Sequence, residues 1–189
     1  MTTDPHAWAE HLDTLQAQVW SRLVRGVGDR HAPARHPTLA TVSAEGWPEQ
    51  RTVVLRAADP GLGSLDIHTD LRSDKVASLR QLPRAALHVW DPAAHLQTRL
   101  AVTVEVLTGA EVGAVWAKVP DAARLGYGAV PAPGQAIAGP LDYQTHADPA
   151  AFAILRCRVV AIDALQLGTR HRRARFDAAD NWAGQWVTP

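Results

Sequence analysis

The sequence predicts an α+β fold, mainly β: an antiparallel barrel of six to seven strands with helices tucked between them. Three observations carry this. Short segments of alternating polarity follow one another through tight Gly- and Pro-containing turns, as in hairpins. Helical spacing is confined to the N-terminus and a few short stretches. Strand-helix-strand repetition is absent, which argues against a doubly wound sheet.

The first element spans roughly residues 4–27. Trp8, Leu12, Leu15, Val19 and Leu23 recur at steps of three and four and form one apolar stripe. Pro5 suits a first helical turn behind Thr3 or Asp4 as cap, and Gly26 and Gly28 are read as its end. Residues 38–43 then read as a strand, Ala44-Glu45-Gly46 as a turn, and residues 48–57 as the return strand. A second turn at residues 59–63 leads to a strand over 64–69. Helical spacing returns over 73–82, with Val76, Leu79 and Leu82 apolar, and Pro83 stops it. Strands follow over 85–90 and 96–107, then two short helices, 110–119 and 121–125, around Pro120. Residues 126–149 are rich in Gly, Pro and Ala and read as a long loop. The remaining strands are 152–167, 171–176 and 182–187.

The 189 residues are read as a single domain, 1–189, with residues 1–28 its N-terminal amphipathic helix. Nineteen Lys and Arg balance nineteen Asp and Glu, so no overall field favours nucleic acid or an anionic membrane. No apolar run approaches the ~20 residues of a membrane helix. The N-terminus lacks a signal-peptide pattern. One cysteine, Cys157, permits neither an internal disulfide nor a thiolate zinc cluster. A cytoplasmic location is the expectation. His68, His88, His95 and His171 show no paired metal-ligand spacing, so no metal is expected.

Four segments hold candidate chemistry. In Arg51-Thr52-Val53-Val54-Leu55-Arg56, two arginines bracket an apolar strand. They either form its cationic ends or grip a planar anionic ligand. Positions five apart face opposite sides of a regular strand, so both reach one ligand only if the strand is bulged or one acts from its end. Residues 67–75 lie where a strand gives way to a helix. Thr69 and Ser73 offer hydroxyls, Arg72 and Lys75 offer charge, and the helix start offers N–H groups, as in a phosphate cradle. Equally, Ser73 reads as an ordinary helix cap. In residues 90–99, Gln97 and Arg99 share one strand face. In residues 170–175, five of six residues are Arg or His. A run of that kind is either a solvated face or, on a strand, partly directed into a site.

These segments, in this order, resemble the pyridoxamine 5′-phosphate oxidase family of FMN-binding split barrels. The resemblance covers about residues 36–189. Arg51-x-Val53-Val54-Leu55-Arg56 is similar to the family's FMN strand, with Arg56 in place of a final Lys. His68-Thr69 and Ser73-Asp74-Lys75 resemble its phosphate-binding segment, and Leu96-Gln97-Thr98-Arg99 the segment whose Gln touches flavin. Arg175-Phe176, Trp182 and Pro189 resemble its C-terminal ending. The resemblance implies a homodimer with FMN at the subunit interface. Thr69, Ser73 and Lys75, beside His68, would hold the phosphate. Arg51 and Arg56 would contact phosphate and ring edge, the Val53–Leu55 backbone would line the ring, and Gln97 would touch it. Arg175 would reach the flavin held mainly by the other subunit. Arg124, Tyr127, His171 and Arg173 are the substrate candidates it implies. It also implies a small-molecule substrate and an oxidoreductase, the alternative being a flavin or haem binder without turnover. No nucleic-acid or membrane partner is expected.

Two departures bear on this. Asp74 stands where the family commonly has a basic residue, and Leu165 or Leu167 where the oxidase has a Trp. Residues 170–174 keep positive charge without the oxidase's substrate pattern. FMN binding therefore carries over further than substrate identity.

Overall fold

The computed structural model describes residues 5–189. Nine strands form one antiparallel sheet: β1 Thr38–Val42, β2 Pro48–Thr52, β3 Leu55–Asp59, β4 Ser64–Asp70, β5 Arg84–Asp91, β6 Leu96–Leu107, β7 Phe152–Gln166, β8 Arg172–Asp177 and β9 Gln185–Trp186. The main path runs β2-β1-β5-β6-β7-β4-β3. Its two end strands, β2 and β3, are joined by Val53 and Val54 alone. The sheet must therefore curl until its edges approach, and the chain, not a hydrogen-bond ladder, joins them. This is a split, unclosed barrel.

Strand β7 is the spine. On one side it pairs with β6 along nearly its whole length. On the other it pairs first with β4 (Phe152–Arg158) and then with β8 (Ala161–Gln166). The exchange of neighbours halfway along β7 is the split, and it leaves two distinct ends of the sheet.

The nine strands exceed the expected six to seven; one of the additions arises because residues 48–57 read as a single strand, which the structure breaks at Val53-Val54. Between β3 and β4, Leu55 pairs with Ile67 and Ala57 with Asp66, so Arg56 is the extra residue of a bulge. A bulge re-aims a side chain, and here the residue it re-aims is Arg56.

Helix α1 is Leu12–Gly28, preceded by a 3-10 turn at Ala7–Glu10, so the expected single helix from residue 4 is two pieces. His11 between them is extended. The proposed caps Thr3 and Asp4 lie outside the described residues. Leu15, Val19, Trp20 and Leu23 are the buried stripe. Gly26 does not end the helix. A Cβ there would meet the Ala34 backbone at 2.6 Å, so the glycine permits a close crossing instead. Helix α2, Asp74–Gln81, and the short α3, Gly113–Trp116, and α4, Asp121–Arg124, follow the expected spacing.

The barrel interior holds Leu39, Leu55, Leu65, Ile67, Leu87, Leu100, Leu155 and Ile162, each at most 1% exposed. A second apolar cluster, with Val112, Tyr127, Phe152 and Ile154, sits under α3. Phe152 thus lies at the start of β7, where the barrel and the long loop meet. Cys157 is buried in the barrel core, and burial pushes its thiol up to about 12. It is an inert packing residue.

Candidate functional site

At the β3–β4 end is a cavity of about 210 Å³, lined by Thr52, Val53, Val54, Arg56, Ile67, His68, Thr69, Lys75 and Tyr127. Six of these, Val53, Val54, Arg56, His68, Thr69 and Lys75, are sequence candidates for cofactor binding. Tyr127 is a substrate candidate. Thr52 and Ile67 carry no sequence signal beyond their place in the strands.

The turn before α2 builds the polar wall. Ser73 Oγ donates to the Asp70 carbonyl at 2.8 Å and lies 3.3 Å from Thr69 Oγ1. Ser73 occupies the cap position, yet its side chain caps no helical N–H. The helix start keeps the positive end of its dipole available. Lys75 Nζ donates to Thr69 Oγ1 at 3.2 Å. Lys75 makes no salt bridge among the described residues. Burial, and then the nearby Arg51 charge, hold its pKa below the ordinary lysine value. A half-buried ammonium with only a hydroxyl partner is a cation still able to take an anion.

The other wall is Arg56, His68 and Tyr127. Arg56 Nε is buried with no hydrogen-bond partner among the described residues. The Tyr127 hydroxyl is pushed above its usual pKa by burial, against the pull of the adjacent Arg56 charge and hydrogen bond. Phe152 supports both aromatic neighbours: its ring lies edge-on to His68 and to Tyr127, each centroid 5.0 Å away. Burial, then Arg56, push the His68 pKa down to about 4, with Asp66 opposing. The imidazole is therefore neutral near pH 7.

Two candidates are turned elsewhere. Arg51 is tied to Thr41 Oγ1 (2.6 Å) and to Glu49 Oε2 (3.0 Å), and it does not line the cavity. The Leu55 side chain is in the core, and its carbonyl accepts from Arg35 Nη1 at 3.1 Å. The Val53 N–H donates to the Pro37 carbonyl at 3.0 Å. The Asp74 carboxylate lies against Gly134 in the long loop, within about 3 Å of where a Cβ would stand. Its turn toward the loop lessens the repulsion its position implies.

Gln97, Arg173 and Arg175 are at the other end of the sheet. Thr69 is opposite Ala153 of β7, whereas Gln97 is opposite Leu165. Those twelve residues correspond to roughly 40 Å of strand. At this far end Asp163 Oδ2 accepts from Arg99 Nη2 (2.6 Å), Arg173 Nη2 (2.8 Å) and Arg175 Nε (3.2 Å). Burial would raise the Asp163 pKa, but the Arg173 and Arg99 contacts hold it down to about 2. A groove of about 650 Å³ runs beside it, lined by Ala86, Arg99, Ala101, Arg175 and Phe176 among others. His171 is exposed at the strand end, with Nδ1 3.0 Å from the Gly168 carbonyl. Arg124 is absorbed locally: it holds Asp121 (2.9 Å) and the Trp116 and Ala117 carbonyls. The structure therefore divides the candidates into a cavity set and a far-end set.

The described donors fit a phosphorylated, planar ligand: two hydroxyls and an unneutralised ammonium at a helix start, then an arginine with an orphaned buried N–H. The pyridoxamine 5′-phosphate oxidase, FMN-binding domain family matches residues 7–108. The chain belongs to that family, whose cofactor is FMN. A pyridoxine/pyridoxamine 5′-phosphate oxidase of Thermosynechococcus vestitus is 29% identical over 80% of this chain and 62% of its own length. One from Alkalilimnicola ehrlichii is 38% identical over 47% of this chain and 44% of its own. The chain thus spans about half the length of the curated relatives it matches. Among solved structures, a pyridoxamine 5′-phosphate oxidase-related, FMN binding protein from Nostoc punctiforme PCC 73102 superposes with a TM-score of 0.74 at 25% identity, covering 100% of both chains. PhzG from Burkholderia lata 383 shares the fold, with a TM-score of 0.67 at 15% identity over 98% of this chain and 94% of its own. No helix among the described residues is long and apolar enough to cross a membrane.

Proposed function

We propose that this chain is a single-domain, FMN-dependent oxidoreductase that works as a cytoplasmic homodimer on a small-molecule substrate. The observation that carries the reading is Lys75, a half-buried cation with no salt bridge among the described residues, beside Thr69 and Ser73 at the start of α2. FMN supplies the redox chemistry when bound; the protein supplies position and electrostatics. Lys75, Thr69 and Ser73 hold the phosphate. Arg56 directs its free Nε–H into the ligand, Val53 and Val54 wall the ring, and neutral His68 packs beside it without adding charge. Arg51 contributes field at close range while bound to Glu49.

The far-end set supports the dimer. One chain separates Lys75 from Gln97 and Arg175 by the length of β7, so these residues meet one ligand when a second copy brings its far end to the cavity. Cyclic two-fold pairing creates two such sites at once. Arg173 is held by Asp163 at both Nε and Nη2, and Arg124 is spent on α3, which supports a substrate other than pyridoxamine 5′-phosphate.

The test is titration of the purified chain with FMN, followed by absorbance and flavin fluorescence. One FMN per chain, then oxygen consumption with NAD(P)H or a candidate amine, supports the enzyme. Stoichiometric FMN without turnover leaves the second reading, a flavin carrier, which the committed state of Arg173 and Arg124 favours. A Soret band with added haem and no flavin uptake would replace FMN by haem.

A further inference from the structure

Asp70 closes β4, one residue past Thr69, and its side chain is only 5% exposed. A carboxylate this deep needs several donors to offset lost hydration. Oδ1 accepts from Arg72 N (2.9 Å) and Arg72 Nε (3.0 Å). Oδ2 accepts from Arg72 Nη2 (2.7 Å) and from the Gly128 N–H (3.0 Å). Arg72 Nη2 also donates to the Ala129 carbonyl at 3.0 Å. The pair thus holds one backbone donor and one backbone acceptor of the long loop. Gly128 makes the close approach possible: its φ is +123°, and a Cβ would meet the His146 carbonyl at 2.6 Å. Tyr127, one residue earlier, is thereby set beside Arg56 in the cavity.

The same turn faces the cofactor site. The Asp70 carbonyl accepts both the Ser73 N–H (3.2 Å) and Oγ (2.8 Å). Thr69 and Ser73, the hydroxyls assigned to the phosphate, lie on either side of Asp70 and Arg72. Arg72 is therefore not the free cation its sequence position suggests.

We propose that Asp70 and Arg72 are positioning residues that clasp residues 127–129 to the turn presenting Thr69 and Ser73, so that FMN binding and the placement of Tyr127 are linked. The proposal rests on the FMN reading above. FMN titration of the parent chain comes first; no binding there defeats that reading, and the clasp with it.

Given binding, Arg72→Lys is decisive. It keeps the charge but loses the planar fork that spans Asp70 and Ala129. The clasp predicts that Arg72→Lys weakens FMN about tenfold, nearly as much as Arg72→Met. It also predicts that FMN slows chymotrypsin cleavage at exposed Leu141 and Tyr143 in the parent but not in either variant. Combining Arg72→Met with Tyr127→Phe should give less than the sum of the separate losses. Parent-like FMN affinity in Arg72→Lys with weakening only in Arg72→Met makes Arg72 a simple phosphate cation and overturns the clasp. Unchanged protection by FMN, or additive losses, overturns it as well. Asp70→Asn, which keeps size and loses charge, must behave as Arg72→Lys does. Thermal unfolding of each variant confirms that folded protein is compared.

Discussion

Replacing Lys75 by methionine should move ligand affinity and stability in different directions. Nζ makes one hydrogen bond, to Thr69, and no ion pair among the described residues, so its charge serves little in the unliganded protein. Burial and the Arg51 charge disfavour the ammonium, and its folded pKa is lowered. The sign follows: a lysine with a lowered folded pKa costs stability at pH 7, a cost relieved only as pH rises through that pKa. Methionine fills a similar volume without charge, so unfolding free energy should hold or rise by up to ~1 kcal/mol. The proposed phosphate contact, in contrast, would be charge-assisted and worth roughly 1.5–3 kcal/mol, or about 10- to 150-fold in FMN affinity. Urea unfolding of the ligand-free protein and fluorescence titration with FMN read the two quantities separately. A variant that loses stability and keeps its FMN affinity would refute the reasoning, because Lys75 would then be a structural cation.

Asp163→Asn should cost about 1–2 kcal/mol at pH 7, less than the full pKa shift implies because Arg99 and Arg175 are about half exposed and screened. A depressed carboxylate contributes above its unfolded pKa, and its contribution is lost as pH falls through the folded value. The parent–variant gap should therefore shrink from the ordinary 3.8 down to about 2, as denaturation at stepped pH would show. His68→Phe should show its effect in a different window. Neutral His68 in the fold means that the parent loses stability, relative to the variant, as pH falls from 6.5 to about 4; a flat difference would remove Arg56 and burial as the cause. Gly128→Ala combines a positive φ with a 2.6 Å clash and should cost about 1–3 kcal/mol of stability, with weaker FMN binding, read by thermal unfolding and titration.

Much of the cavity is legible in the sequence because it is local. Thr69, Ser73 and Lys75 lie on one turn and one helix start, where dipole, hydroxyl and charge coincide within seven residues. The strand order is legible through hairpin turns, and the long α1 stripe through its spacing. What is not legible depends on contacts distant in the chain. Arg51 reads as a ligand contact, but Thr41, brought alongside by the β1–β2 pairing, holds it together with Glu49 on the same face of β2. The strand over 48–57 reads as continuous because Val53 and Val54 are good strand formers, yet the closing sheet requires a break there. The value of Asp70 is hidden because its second partner, Gly128, is 58 residues away. Asp163 is hidden likewise, since nothing in its own segment shows that Arg99 and Arg175 flank it across β6 and β8. The basic run 170–175 divides only once its strand register is known: Arg173 and Arg175 turn to Asp163, whereas Arg172 reaches Gln166 and Glu10.

The central claim is that one FMN is held by the cavity of one chain and the far end of another. Subunit complementation tests it most directly. Lys75→Ala and Arg175→Ala chains are each measured alone, then unfolded together in equal amounts, refolded and titrated with FMN. A site shared between two copies predicts that both homodimers bind weakly and that about a quarter of the sites in the mixture regain parent affinity, because each mixed dimer holds one intact site. A mixture that binds no better than its two components would place the whole site within one chain and contradict the account.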